Sequence, residues 1–173
     1  MNCVVSDFGS QHPAFIRSIR FRQRFCIGQP LRRPGLTAHR LFWMPTVLGV
    51  EKNGSAVRCA IQNAKDNRIQ NARFLNEDAT KAIQKMAARG EKVDVVFMDP
   101  PRAGSTPEFL DAVSRMSPEK LVYISCNPET QKRDLEILKK KGWGVRLIQP
   151  VDLFPHTEHV ENIVVLARKN KGR

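Results

Sequence analysis

The chain has no Cys-x-x-Cys pair; its four cysteines, Cys3, Cys26, Cys59 and Cys126, stand far apart. That spacing gives no zinc site and no disulfide framework, and it fits a reducing, cytoplasmic compartment. No apolar run approaches the roughly 20 residues that a bilayer-spanning helix needs, and the first residues lack the charged start and apolar block of a secretion signal. No membrane partner is therefore expected. Internal repeats are absent too. Acids are scarce, with 17 Asp and Glu against 29 Lys and Arg and a net charge of +12. Such an excess favours a polyanionic partner, although a basic chain can also be merely soluble, and charge does not separate RNA from DNA. A length of 173 residues with 41% hydrophobic composition suits one ordinary domain.

What is present is a repeated pattern in which an apolar run ends in a polar turn. Leu121, Val122, Tyr123 and Ile124 read as a buried strand that stops at Ser125-Cys126-Asn127-Pro128. Val95-Val96-Phe97-Met98 leads in the same way into Asp99-Pro100-Pro101-Arg102, and Arg146-Leu147-Ile148-Gln149 leads towards Asp152 and the turn ending at Glu161. Ligands of open α/β sheets bind outside the carboxyl ends of the strands, which makes a thiol at such an end a candidate for chemistry. A lone cysteine is otherwise most often a small buried hydrophobe. The periodicity predicts strands over 47–50, 72–75, 93–98, 121–124, 145–149 and 162–167, and helices over 55–66, 79–89, about 107–115 and from after Pro128 to Lys140. Cys59, in the middle of the first helix, reads as core.

Three motifs in order, Asp99-Pro100-Pro101-Arg102, Ser125-Cys126-Asn127-Pro128 with Thr130 and Arg133-Asp134, and Asp152-x-Phe154-Pro155-His156-Thr157-x-His159-Val160-Glu161, resemble the carboxyl-terminal catalytic domain of the RNA (uracil-5-)-methyltransferases. The resemblance covers about residues 47–169. It implies an α/β, Rossmann-like class I S-adenosylmethionine-dependent methyltransferase fold. It also implies methyl transfer to carbon 5 of a uridine in RNA, with 23S ribosomal RNA favoured over transfer RNA.

By this resemblance Cys126 is the nucleophile, adding to carbon 6 of the uracil, and Glu161 is the base that removes the carbon 5 hydrogen. Glu51, at the end of the first strand, inherits the cofactor-ribose acid, for which an ordinary surface glutamate is the alternative. Asp78 matches the acid that faces the adenine amino group, and it also suits the N-cap of the helix that follows. Asp99 lines the pocket, facing cofactor or base. Arg102 takes either an RNA phosphate or an internal acid. His156 and His159, three apart with no third ligand, read as hydrogen-bonding residues, so no metal is expected. The four cysteines that hold an iron–sulfur cluster in some family members have no counterpart here.

Residues 1–45 depart from this pattern. Their cations are Arg17, Arg20, Arg22, Arg24, Arg32, Arg33 and Arg40 with no lysine, and Asp7 is the one acid. The resemblance calls for a strand and an Asp-x-x-Cys-Gly-x-Gly loop before residue 47, and neither is recognisable. The expectation is a methyltransferase domain over 46–173, partial in its first strand and Gly-rich loop. It is preceded by an atypical Arg-rich segment that is out of frame, truncated or fused, so that turnover is weak or absent. Two other readings remain open: a non-catalytic basic RNA-binding fragment, and a cysteine hydrolase. The sequence leaves the oligomeric state undetermined.

Overall fold

The computed structural model describes residues 46–152 and 156–169, together with the backbone of 2–6. The strands are β1 (Asn2–Ser6), β2 (Thr46–Glu51), β3 (Ala72–Asn76), β4 (Val95–Met98), β5 (Lys120–Ser125), β6 (Trp143–Val151) and β7 (Glu161–Arg168). The helices are α1 (Gly54–Asp66), α2 (Ala79–Ala88), α3 (Pro107–Met116) and α4 (Pro128–Lys140). Each helix starts where its sequence supplies a cap. Asn53 accepts from the Ser55 and Ala56 amides, Asp78 from Lys81, Thr106 from Phe109 and Asn127 from Glu129. Pro107 and Pro128 open α3 and α4, where a missing N–H costs nothing. Gly90 follows α2 at φ +69°, a left-handed exit.

The strands form one seven-stranded sheet in the order β3-β2-β1-β4-β5-β7-β6. β1 to β5 run parallel; β7 is antiparallel to both β5 and β6. The order steps outward from β1 to β3 and then returns through β4 and β5, so right-handed crossovers send α1 to one face and α2, α3 and α4 to the other. The packing agrees: α1 lies on β2 and β3, while α2 packs on α3 and α3 on α4. The core beneath these helices holds Val96, Leu110, Val113, Leu121, Tyr123, Leu138 and Val164, all fully buried.

Two expectations are revised here. β1 fills the central position of the sheet, paired Val4↔Leu48 on one side and Val4↔Val96 on the other, although no first strand was recognisable before residue 47. Its apolar content is only Cys3-Val4-Val5, too short a run to give a periodic signal. Residues 7–45, on which most of the Arg-rich segment and any loop after β1 fall, lie outside the described residues. Cys59 is exposed, because the buried stripe of α1 runs through Val57 and Ala64.

The sheet places the acids and the thiol on one rim. Glu51 ends β2, Asp78 follows β3, Asp99 follows β4 and Cys126 follows β5. β7 runs the other way, so its first residue, Glu161, returns to the same rim with Asn162 opposite Ser125. The switch point of the strand order lies between β1 and β4, with Glu51 and Asp78 on one side and Asp99, Cys126 and Glu161 on the other.

Leu138, fully buried, anchors α4 to the sheet, whereas Ile148 on the edge strand β6 is 57% exposed. In urea denaturation Leu138→Ala should lose about 3 kcal/mol, and Ile148→Ala should stay within about 0.5 kcal/mol of the parent.

Candidate active site

The turn carrying the thiol is built from its own side chains. Ser125, 1% exposed, accepts from the Asn127 amide at 3.0 Å and donates to the Asn127 carbonyl at 3.1 Å, closing the chain around Cys126. The Asn127 side chain also donates to the Arg102 carbonyl at 3.1 Å, and the Thr130 hydroxyl donates to the same carbonyl at 3.0 Å. The turn after β5 and the turn after β4 are thus tied at one backbone oxygen. Asp99 and Cys126 sit on either side of that tie.

A second tie lies beneath the first. Asp134 is fully buried. One carboxylate oxygen accepts from the Tyr123 hydroxyl and the Ser105 amide, both at 2.6 Å; the other accepts from Arg133 Nε at 3.0 Å and Nη2 at 2.8 Å. Arg133 Nη2 also donates to the carbonyls of Ala103 at 3.0 Å and Ser105 at 3.3 Å. Burial and the neighbouring Asp134 carboxylate push the Tyr123 phenol well above its ordinary range, so it remains a donor. Between these groups passes Gly104 at φ +82°, where an added Cβ would lie 2.6 Å from Arg133 Nη2 and 2.8 Å from Asp134 Oδ2. Only glycine fits this approach without strain.

Cys126 is half-buried, and its thiol is pushed above the ordinary cysteine value. Burial is the largest cause, the Glu161 carboxylate adds to it, Arg102 opposes, and Asp99 adds a smaller upward push. The rim therefore brings Cys126, Glu161 and Asp99 within electrostatic reach of one another. Glu161 is 3% exposed and Asp99 partly so. Arg102 is exposed, and its charge is the one that favours the thiolate.

Across the switch point, Glu51 is 8% exposed and accepts the Asn53 amide on Oε1 at 2.6 Å. The Asn76 side chain donates to the carbonyls of Glu51 at 3.0 Å and Lys52 at 2.8 Å, fixing the tip of β2 against β3. Asp78 accepts the Lys81 amide at 3.1 Å as the cap of α2. His156, at φ +65°, and His159 are both exposed in the turn before β7.

The sequence profile of the tRNA (uracil-5-)-methyltransferases matches residues 38–169. The chain belongs to that family. Over 125 residues it is 48% identical to an uncharacterised RNA methyltransferase of Lactobacillus johnsonii, covering 72% of this chain and 28% of that protein. A Streptococcus mutans protein described in the same words is 43% identical over 122 residues, 70% of this chain and 27% of its own length. The chain spans little more than a quarter of the curated relatives it matches. Among solved structures, the Pyrococcus abyssi tRNA (uracil-54, C5)-methyltransferase in complex with S-adenosyl-L-homocysteine aligns with a TM-score of 0.60 at 34% identity, covering 70% of this chain and 29% of that one. A Thermoplasma acidophilum methyltransferase structure at 14% identity and TM-score 0.62, covering 99% of this chain and 69% of that one, shares the class I fold.

In this member of the tRNA (uracil-5-)-methyltransferase family, sequence reasoning found the rim residues and missed what holds them. Gln131 and Asp134 are buried on α4, in phase with Leu138 at spacings of three and four. Polar residues on the inward stripe of a helix were the available signal, since such groups need partners when buried.

Gly104→Ala should cost about 2–4 kcal/mol in urea denaturation, through the left-handed backbone and the close approach to Asp134. In iodoacetamide labelling read peptide by peptide, Cys126 should titrate above the ordinary cysteine range. Glu161→Gln removes a negative charge and should move that profile to lower pH; Arg102→Ala should move it higher. Superimposable profiles would separate these charges from the thiol.

Proposed function

We propose that the rim of this sheet methylates carbon 5 of a uridine in RNA, with Cys126 as nucleophile, Glu161 as base and S-adenosylmethionine as methyl donor. The observation that carries this reading is the meeting of one half-buried thiol with the Glu161 and Asp99 carboxylates at the carboxyl edge of the strands. The donor set suits the cofactor. Glu51 offers a carboxylate for a ribose diol, Asp78 an acceptor for an adenine amino group, and Asp99 lies next to the switch point between them and Cys126. When bound, S-adenosylmethionine supplies an electrophilic methyl group.

The residues do the rest. The Cys126 thiolate forms a bond to carbon 6, and the electron pair of the carbon 5–carbon 6 double bond moves onto the uracil carbonyl, making carbon 5 nucleophilic. Once carbon 5 is methylated, Glu161 takes its proton, the double bond re-forms and the carbon–sulfur bond breaks, returning the thiolate. Arg102 favours the charged sulfur, while burial, Glu161 and Asp99 oppose it, so displacing water or neutralising either carboxylate changes the thiolate fraction. The target base must leave its stack to reach this rim, and the net charge of +12 favours the RNA backbone.

The test is incubation of the chain with ribosomal and transfer RNA and labelled S-adenosylmethionine, reading 5-methyluridine. Activity on either RNA should fall below about a thousandth in Cys126→Ala. Glu161→Gln should accumulate RNA covalently attached to the protein, because the adduct forms and is not resolved. Salt-dependent RNA binding with no methylation and no adduct would instead favour the non-catalytic binding fragment.

A further inference from the structure

The thiol and the carboxylate belong to different strands, so something must set their relative height. Cys126 directly follows Ser125 of β5, and Glu161 directly precedes Asn162 of β7; Ser125 and Asn162 are paired across the two strands. Gln131, on the inward face of α4, is 1% exposed and spans this pair from above. Its Nε2 donates to the Tyr123 carbonyl of β5 at 3.1 Å and to the Asn162 carbonyl of β7 at 3.2 Å. Its Oε1 accepts from the Asn162 side-chain Nδ2 at 2.6 Å.

Backbone carbonyls can only accept, so they fix which end of the Gln131 amide faces the strands. That in turn obliges Asn162 to present its NH2. The opposite atom of the amide, Asn162 Oδ1, is buried and takes no hydrogen bond from any described residue. Among the described residues, then, Gln131 alone orients it. A buried primary amide that uses both ends on two adjacent strands is a clip, and the strands it joins are those bearing the thiol and the acid.

We infer that Gln131 and Asn162 form a positioning pair that holds Glu161 at its working distance from Cys126, by locking the first residue pair of β7 against β5 under α4. The inference rests on the reading of Cys126 and Glu161 as nucleophile and base. Gln131 has a geometric role: its hydrogen bonds go to Tyr123 and Asn162, and through them it fixes the strands on which the thiol and the carboxylate stand. Three hydrogen bonds made in the interior, where no water competes, restrain a strand far more than the frayed end of a hairpin restrains itself.

The test uses the full chain without cofactor or RNA, so it does not depend on turnover. Four proteins are compared by peptide-resolved iodoacetamide labelling of Cys126 from pH 6 to 10: the parent, Gln131→Met, Glu161→Gln and the double variant. Methionine keeps the length and volume of glutamine and removes all three hydrogen bonds. The charged groups acting on this thiol are Glu161, Asp99 and Arg102.

Glu161→Gln should speed labelling at pH 7.5 by about 3–10-fold. Gln131→Met should speed it by about 2–5-fold, as the carboxylate drifts from the thiol. In the Glu161→Gln background Gln131→Met should change the rate by less than about 1.5-fold, because the group it positions is gone. Asn162→Ala is the milder second variant, should Gln131→Met be unfolded by circular dichroism, and the same non-additivity is expected of it. A folded Gln131→Met or Asn162→Ala with the parental profile overturns the inference. An equal effect with and without the Glu161 carboxylate also overturns it, since the clip would then act on the thiol directly. If Glu161→Gln leaves the labelling unchanged, the carboxylate does not act on the thiol and the positioning role is overturned, whereas the catalytic reading fails separately, by the absence of both methylation and adduct.

Discussion

The buried carboxylate of Asp134 is the constraint on which the rim depends. A charge taken wholly out of water is tolerated only when every lone pair is met. Here the Tyr123 hydroxyl, the Ser105 amide and two nitrogens of Arg133 meet them. Removing one partner of such a group costs on the order of 3–5 kcal/mol, because the desolvated charge remains. Each partner comes from a different part of the site: Tyr123 from the strand that leads to Cys126, Ser105 from the loop that begins at Asp99, and Arg133 from the helix that starts after the cysteine turn. Satisfying one carboxylate therefore forces three segments into register. Gly104 follows from the same demand, since the loop must pass too close to Asp134 for any Cβ.

Above this anchor the electrostatics run against the thiolate. Burial and two carboxylates push the thiol above its ordinary value, with one exposed arginine in opposition. A thiol whose surroundings disfavour its charged form gains reactivity when those surroundings change. The strands that bear Cys126 and Glu161 are tied by side chains as well as by the ladder. The Gln131 and Asn162 amides join the two strands, and Ser125 and Asn127 close the turn at the end of β5.

Legibility varied along the chain for physical reasons. The helix running to Lys140 was readable to within a residue because a proline marks its start and a glycine follows its end. Strands β4 and β5 were readable because central parallel strands are apolar on both faces. β1 was missed because three apolar residues carry no period, and its place in the sheet comes from pairing with β2 and β4, partners distant in sequence. The face of α1 was misjudged at Cys59: a helix of small and polar residues has a weak apolar stripe, and the packing against β3 chose Val57 and Ala64 instead.

By itself the sequence determined the alternation of strands and helices, the family, and the placing of Glu51, Asp78, Asp99 and Cys126 at the ends of strands, because turn chemistry and motif order are local properties of a chain. Only the tertiary structure decided that the antiparallel β7 returns Glu161 to the rim that carries Cys126, that Asp134 and Gln131 are interior ties, and that burial and nearby carboxylates push the thiol upward. Those facts depend on which strands become neighbours and on how much water remains between charges, and neither quantity exists until the sheet has closed.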